Sequence, residues 1–144
     1  MRENLFRGQA KNDTYRKDGD WIYSSFIMQD PKTELLSHQV ELFDGSRWVA
    51  IDPETVGQYT GLTVNGTKIF EGDVGRYKQT DGAKRNGNPI ICTGKVIYWA
   101  KTASYSVESK DEAGCKYFDY FPIKDFEIIG NIHDNPELLE GGMK

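Results

Sequence analysis

Apolar and polar positions alternate with a period of two along much of this chain, the spacing of a strand that buries one face. Within 39–43, Val40 and Leu42 flank Glu41. Within 103–109, Ala103, Tyr105 and Val107 alternate with Ser104, Ser106 and Glu108. The stretch 90–99 is apolar on both alternations at Val96-Ile97-Tyr98-Trp99, which predicts a central strand covered on both sides. In 21–28 the aromatic and β-branched content predicts one strand, with Trp21, Tyr23 and Ser25 on one face and Ile22, Ser24 and Phe26 on the other. Further strands are predicted at 4–7, 47–51, 73–78, 116–121 and 126–132.

Turn residues punctuate these strands. Asn65-Gly66 is a strong hairpin signal, because both central residues of a type I′ turn need positive φ. Asp44-Gly45 predicts a second hairpin, between 39–43 and 47–51. Glu71-Gly72-Asp73 predicts a tight turn that launches the strand at 73–78. Asp30-Pro31 and 110–114 are further turns, and 33–37 is one helical turn or a loop. Short helical turns are predicted at 52–56, with Asp52 as N-cap and Pro53 first, and at 135–139, capped by Asn135. The segment 78–89 has no apolar period and reads as a long loop, mobile or functional. The tail 141–144 is expected to be dispensable. The fold expected is mainly β: an N-terminal β meander plus a C-terminal SH3-like small barrel or bent antiparallel sheet, with few short helical turns. No strands alternate with long helices, which excludes a parallel α/β sheet. The expected organisation is one domain over 1–144, with lobes at 1–60 and 61–140.

Composition narrows the function classes. A net charge of −4 argues against a broadly basic nucleic-acid surface. Three Trp, eight Tyr and seven Phe give a low-hydrophobicity chain enough large side chains for a core. No apolar run can span a bilayer. The opening Met1-Arg2-Glu3-Asn4 is polar, so no secretory signal is expected, and the compartment expected is the cytoplasm. Cys92 and Cys115 are accordingly expected as reduced thiols at strand positions. Gly94-Lys95 is followed by Val96 and lacks the glycine spacing of a phosphate-binding loop. His38 and His133 are far apart in sequence and have no evident co-ligands, so no metal and no cofactor is expected. Glu71 and Asp73 have the residue types for acid–base work, but turn chemistry explains them better. A hydrolase built on Asp73, Asp119 or Asp125 has no pairing in the sequence to support it.

Three quoted stretches carry a resemblance. They are Asp52-Pro53-Glu54-Thr55-Val56-Gly57-Gln58-Tyr59-Thr60-Gly61-Leu62 followed by Asn65-Gly66 and Ile69-Phe70-Glu71-Gly72-Asp73-Val74; Phe126-Glu127-Ile128-Ile129-Gly130-Asn131-Ile132-His133-Asp134-Asn135-Pro136-Glu137-Leu138-Leu139; and the opening Met1-Arg2-Glu3 with Leu5-Phe6-Arg7-Gly8. In order and spacing they resemble the YopX family, whose members occur mainly on bacterial phages, prophages and other mobile elements. Thr63-Val64 stands where the family usually has a charged Asp-Lys pair before Asn-Gly, so the hairpin here is expected to be shorter. The resemblance implies one compact unit in a bacterial host cell. It brings no catalytic residues. The motif positions it marks as structural are Gly61, Asn65, Gly66, Glu71, Gly72 and Asp73.

Two function classes remain. The first is a non-enzymatic accessory protein that binds an unknown protein partner or assembles with itself. The second is a small nucleic-acid binder. Arg76, Lys78, Lys84 and Arg85 stand against one acid, Asp81, in 76–85, and Trp99 with Tyr98, Lys101 and Tyr105 supplies a candidate stacking platform. From Asp119 to Glu140 six acids face one Lys, an asymmetry that suits protein contacts.

Overall fold

A computed structural model describes residues 4–30, 39–78, 84–109, 118–120 and 125–140. It is mainly β, with antiparallel sheets and one short helix. The chain divides into two compact units, Met1–Gly61 and Leu62–Lys144. The predicted turns at 33–37 and 110–114 and the tail lie outside the described residues, as do His38 and Cys115.

The first unit starts with β1 (Phe6–Gln9), β2 (Trp21–Ser24) and β3 (Ile27–Asp30). The single strand predicted at 21–28 is thus two. The Phe26 N–H donates to Ser24 Oγ at 2.9 Å, and this local bond bends the chain between them. β2 pairs with β1, whereas β3 pairs with β4 (Gln39–Phe43). β5 (Trp48–Ile51) continues the meander beside β4. The connection is wider than a two-residue turn: Asp44 N–H donates to Arg47 O at 3.0 Å, and Asp44 Oδ1 accepts from the Ser46 and Arg47 N–H groups.

β5 then returns to the end of β1. Ala10 bridges to Ile51, Lys11 N–H reaches Ala50 O at 3.1 Å, and Asp52 N–H reaches Gln9 O at 2.8 Å. This closes the ring of strands around Ile22, Leu42, Val49 and Ile51, with Phe6 and Val56 at its margin. A single 3-10 turn, Pro53–Thr55, follows with Asp52 as its predicted N-cap. β6 (Gly57–Val64) runs beside β1 at Gly57 and Gln58. It continues past Gly61, which takes a φ of +89°, into the hairpin at Asn65 (φ +51°) and Gly66 (φ +80°). β7 (Thr67–Phe70) is the second arm. The strand at 57–61 was not legible as one: its two glycines, Gln58 and Thr60 leave no apolar period.

The second unit holds β8 (Asp73–Lys78), β11 (Ile91–Trp99), β12 (Ser104–Ser109), β13 (Phe118–Tyr120) and β14 (Glu127–Asn131), with α1 (Glu137–Glu140) at the end. Their order is β13-β12-β11-β8-β14, so the first strand lies between the second and the last. The first unit has the same relation, with β1 between β2 and β6. Between β8 and β11, where a loop was predicted, β9 (Lys84–Arg85) and β10 (Asn88–Pro89) form a small hairpin. Its turn is Asn86 (φ +52°) and Gly87 (φ +81°), a second Asn-Gly signal with arms too polar to show a period. At the start of α1 the Asn135 carbonyl accepts the Leu138 N–H at 3.1 Å, and Asn135 Oδ1 accepts the Asn131 N–H at 3.4 Å.

Tyr77, Cys92, Val96, Val107 and Phe126 form the core here. The Phe126 ring lies where a side chain at position 75 would stand, so only glycine fits there. Tyr77 stacks on the same ring at 6.1 Å. Cys92 is disulfide-bonded, which corrects the expectation of a reduced thiol.

Two outcomes follow. Gly75→Ala forces a methyl group into the Phe126 ring, and the urea unfolding midpoint should fall by an amount equivalent to about 2 kcal/mol or more. An unchanged midpoint contradicts the packing. Protein purified without reductant and alkylated in guanidinium should leave Cys92 unlabelled until reduced; labelling before reduction contradicts the bond.

Candidate functional site

The structure distributes the predicted basic residues unevenly. Arg76 and Lys78 are exposed on one face of β8. Thr93 stands opposite Arg76 and Ile91 opposite Lys78 on β11. On the other side, β14 sets Glu127 opposite Arg76, and Asp125 Oδ2 accepts the Lys78 backbone N–H at 3.0 Å. Lys95 shares that face, but its Nζ lies 3.8 Å from Glu108 Oε1. Carboxylates therefore stand beside each cation of this strip. Lys84 sits on the separate β9–β10 hairpin, and the Arg85 side chain lies outside the described residues.

Trp99 lies six positions beyond Thr93 on β11, about 20 Å away at the rise of a strand. It shares the Arg76 face by alternation. Tyr98 and Tyr105, in edge contact at 5.4 Å, belong to the opposite face. The four-residue platform suggested by the sequence is split between two sides of the sheet.

The carboxylates proposed for chemistry are spoken for by turns. Asp73 is buried, and its Oδ2 accepts the Phe70 N–H at 2.8 Å across the Glu71-Gly72 turn. Gly72 has a φ of +90° there, and its N–H donates to Val96 O at 2.9 Å. Asp125 binds backbone, and the Asp119 side chain lies outside the described residues. His133 N–H donates to Asn131 Oδ1 at 3.0 Å in the loop after β14. Among the described residues, no cluster of three or more His, Cys, Asp or Glu is placed to hold a metal.

The feature that sequence reasoning missed is an apolar sheet face in the first unit. Val40, Leu42, Val49 and Ile51 point into the core. The other alternation of the same sheet carries Phe26, Met28, Glu41, Phe43, Trp48 and Ala50. Phe26 is 64% exposed, Met28 43% and Trp48 39%. Phe43 links them, with ring centroids 6.4 Å from Phe26 and 5.4 Å from Trp48, both edge-on. A contiguous group of large exposed side chains marks an interaction surface far more often than scattered ones do. The signal was present in Phe43-Asp44-Gly45-Ser46-Arg47-Trp48, where apolar residues fall on the alternation opposite to the core. The bend after Ser24 hid the share of Phe26, which a straight strand would place beside Ile22.

The family model for the YopX protein matches residues 6–140. The chain belongs to the YopX family. No curated protein and no solved structure matches it. Membership covers both units of this YopX chain, and the structural motif positions Gly61, Asn65, Gly66, Glu71, Gly72 and Asp73 fall in β6, the Asn-Gly hairpin and the turn into β8.

A charged lattice frames the apolar face of this YopX chain. Asp13 Oδ1 accepts the Ala50 N–H at 3.0 Å, and its Oδ2 accepts from Tyr15 and Arg16 N–H groups. Arg47 Nη2 lies 3.3 Å from Asp13 Oδ2, and its guanidinium stacks 4.1 Å from the Tyr15 ring centre. Arg16 Nη2 meets Asp44 Oδ2 at 3.0 Å. Burial pushes the Asp13 carboxyl up, but the Ala50, Tyr15 and Arg16 backbone donors and Arg47 outweigh it and hold it below its usual value. The Ser46 and Arg47 N–H groups, then the Arg16 side chain, hold Asp44 at about 2.

A depressed carboxylate stabilises the fold above its ordinary value and loses that contribution as pH falls through the folded value. Thermal stability should therefore drop between the ordinary 3.8 and about 2. Asp44→Asn should flatten part of that drop in melts recorded across the range. An identical pH profile for the variant contradicts the role given to Asp44.

Proposed function

We propose that this YopX-family chain is a phage or prophage accessory protein of the bacterial host cytoplasm that acts by binding a protein, not by catalysis. The observation that carries the reading is the contiguous Phe26–Met28–Phe43–Trp48 face on the first unit. Aromatic residues and Met are enriched at protein interfaces, and Trp is a frequent anchor. The phage setting comes from the family. The cytoplasmic setting agrees with a chain in which no helix among the described residues is long and apolar enough to cross a membrane. The disulfide at Cys92 pulls the other way, because thiols are kept reduced in that compartment.

A second reading has its own observation. Arg76 and Lys78 project together from a strand order that an SH3-like half-barrel would take, and such sheets present a face to single-stranded nucleic acid. The acids Glu127 and Asp125 beside them make this the weaker of the two.

One experiment separates the readings. The tagged chain is used for capture from host lysate with and without nuclease, as wild type, as Trp48→Ala and as Arg76→Ala with Lys78→Ala. The proposal expects a partner that survives nuclease, is lost with Trp48→Ala and is retained by the double variant. Binding that disappears with nuclease and with the double variant supports nucleic acid instead.

A further inference from the structure

The edge of β3 adds a feature that the apolar face alone lacks. Residues 25–29 are exposed one after another, which a strand shows only where both faces and one edge are open. Among the described residues β3 pairs only with β4. The Phe43 N–H donates to Phe26 O at 3.3 Å, so Phe26 and Met28 turn their backbone groups toward β4. Strand alternation then turns the N–H and C=O groups of Ile27 and Gln29 toward the open edge.

Resting on the protein-binding reading above, we propose that this edge and the face beside it take an extended segment of a partner protein, added as a further strand, with apolar side chains at alternate positions and one Lys or Arg that meets Glu41. Two observations select this occupant. The first is area. Phe26, Met28 and Trp48 together leave roughly 300 Å² in the open, judged from the 150–250 Å² that such side chains present in full. A stable pairing of two copies needs about 800 Å² from each. These three apolar side chains supply less than half of that, whereas the outward N–H and C=O groups of Ile27 and Gln29 suit one added strand.

The second is charge. Arg16 and Arg47 at the rim are engaged by Asp44 and Asp13. Among the residues whose side chains the structure describes, Glu41 is the acid on the face itself, between Met28 and Ala50 in register. A strand added outside β3 lies about 10 Å from β4, two strand spacings. A Lys or Arg side chain can cross Met28 to reach that carboxylate, its stem lying on the apolar surface.

The test is selection from a displayed library of random short peptides on the full chain, followed by affinity measurement on Glu41→Lys and Trp48→Ala variants whose melting temperatures match wild type. The proposal expects enriched sequences with apolar residues at alternate positions and a Lys or Arg. Their affinity should fall by about tenfold or more on Glu41→Lys. Changing the peptide's cation to Glu should restore binding to that variant. Peptides without the pattern, equal affinity for Glu41→Lys, or no enrichment overturns it, as does a dimer of the free chain in light scattering that Trp48→Ala dissociates. If lysate capture still fails with Trp48→Ala while the peptides lack the pattern, the protein-binding reading stands and the segment assigned to it falls.

Discussion

A single side-chain hydrogen bond sets the geometry on which the first unit depends. Ser24 Oγ accepts the Phe26 N–H, and the strand that had been pairing with β1 turns away to pair with β4. That bend lets one run of chain serve two sheets, and β5 closes the ring by returning to Ala10. It has a second effect. Phe26 moves off the core-facing alternation and joins Phe43 and Trp48 outside. The closed core and the exposed face therefore share one cause.

The second unit rests on a close approach instead. Gly75 leaves room for the Phe126 ring, and the ring fixes where β14 returns beside β8. The Asp73 carboxylate, buried and bonded to the Phe70 N–H, holds the turn that launches β8. A buried carboxylate needs such partners, because an unpaired one costs several kcal/mol by the usual order of magnitude. The residues that looked most like acid–base chemistry are thus those that keep the sheet in register.

Much of the fold was legible because it follows from backbone chemistry. Asn65-Gly66 takes positive φ at both positions, Asp52 caps a 3-10 turn, and the alternation in 39–43 and 103–109 gives strands. The losses have physical reasons. Polar arms around Asn86-Gly87 show no burial period, so a hairpin read as a loop. The glycine and threonine content of 57–61 concealed a strand whose partner is distant in sequence. Cys92 gave no sign of its bond, since pairing depends on which segments meet in space. The basic residues could be counted, but not the register that sets Glu127 opposite Arg76 and Trp99 far along β11. The apolar face was legible only in part: Phe43 and Trp48 fall opposite the core alternation, but the bend that brings Phe26 to them does not show in a strand pattern.

The central claim is that the β3–β4–β5 face, rather than the basic strip on β8, is the working surface. Site-specific photo-crosslinking in the host tests it most directly. A photoreactive amino acid replaces Gln29 at the edge of β3 in one sample and Ile91 beside Lys78 in another. The account predicts one discrete protein adduct from position 29 and none above background from position 91. Adducts to nucleic acid or protein from position 91, with none from position 29, would contradict it.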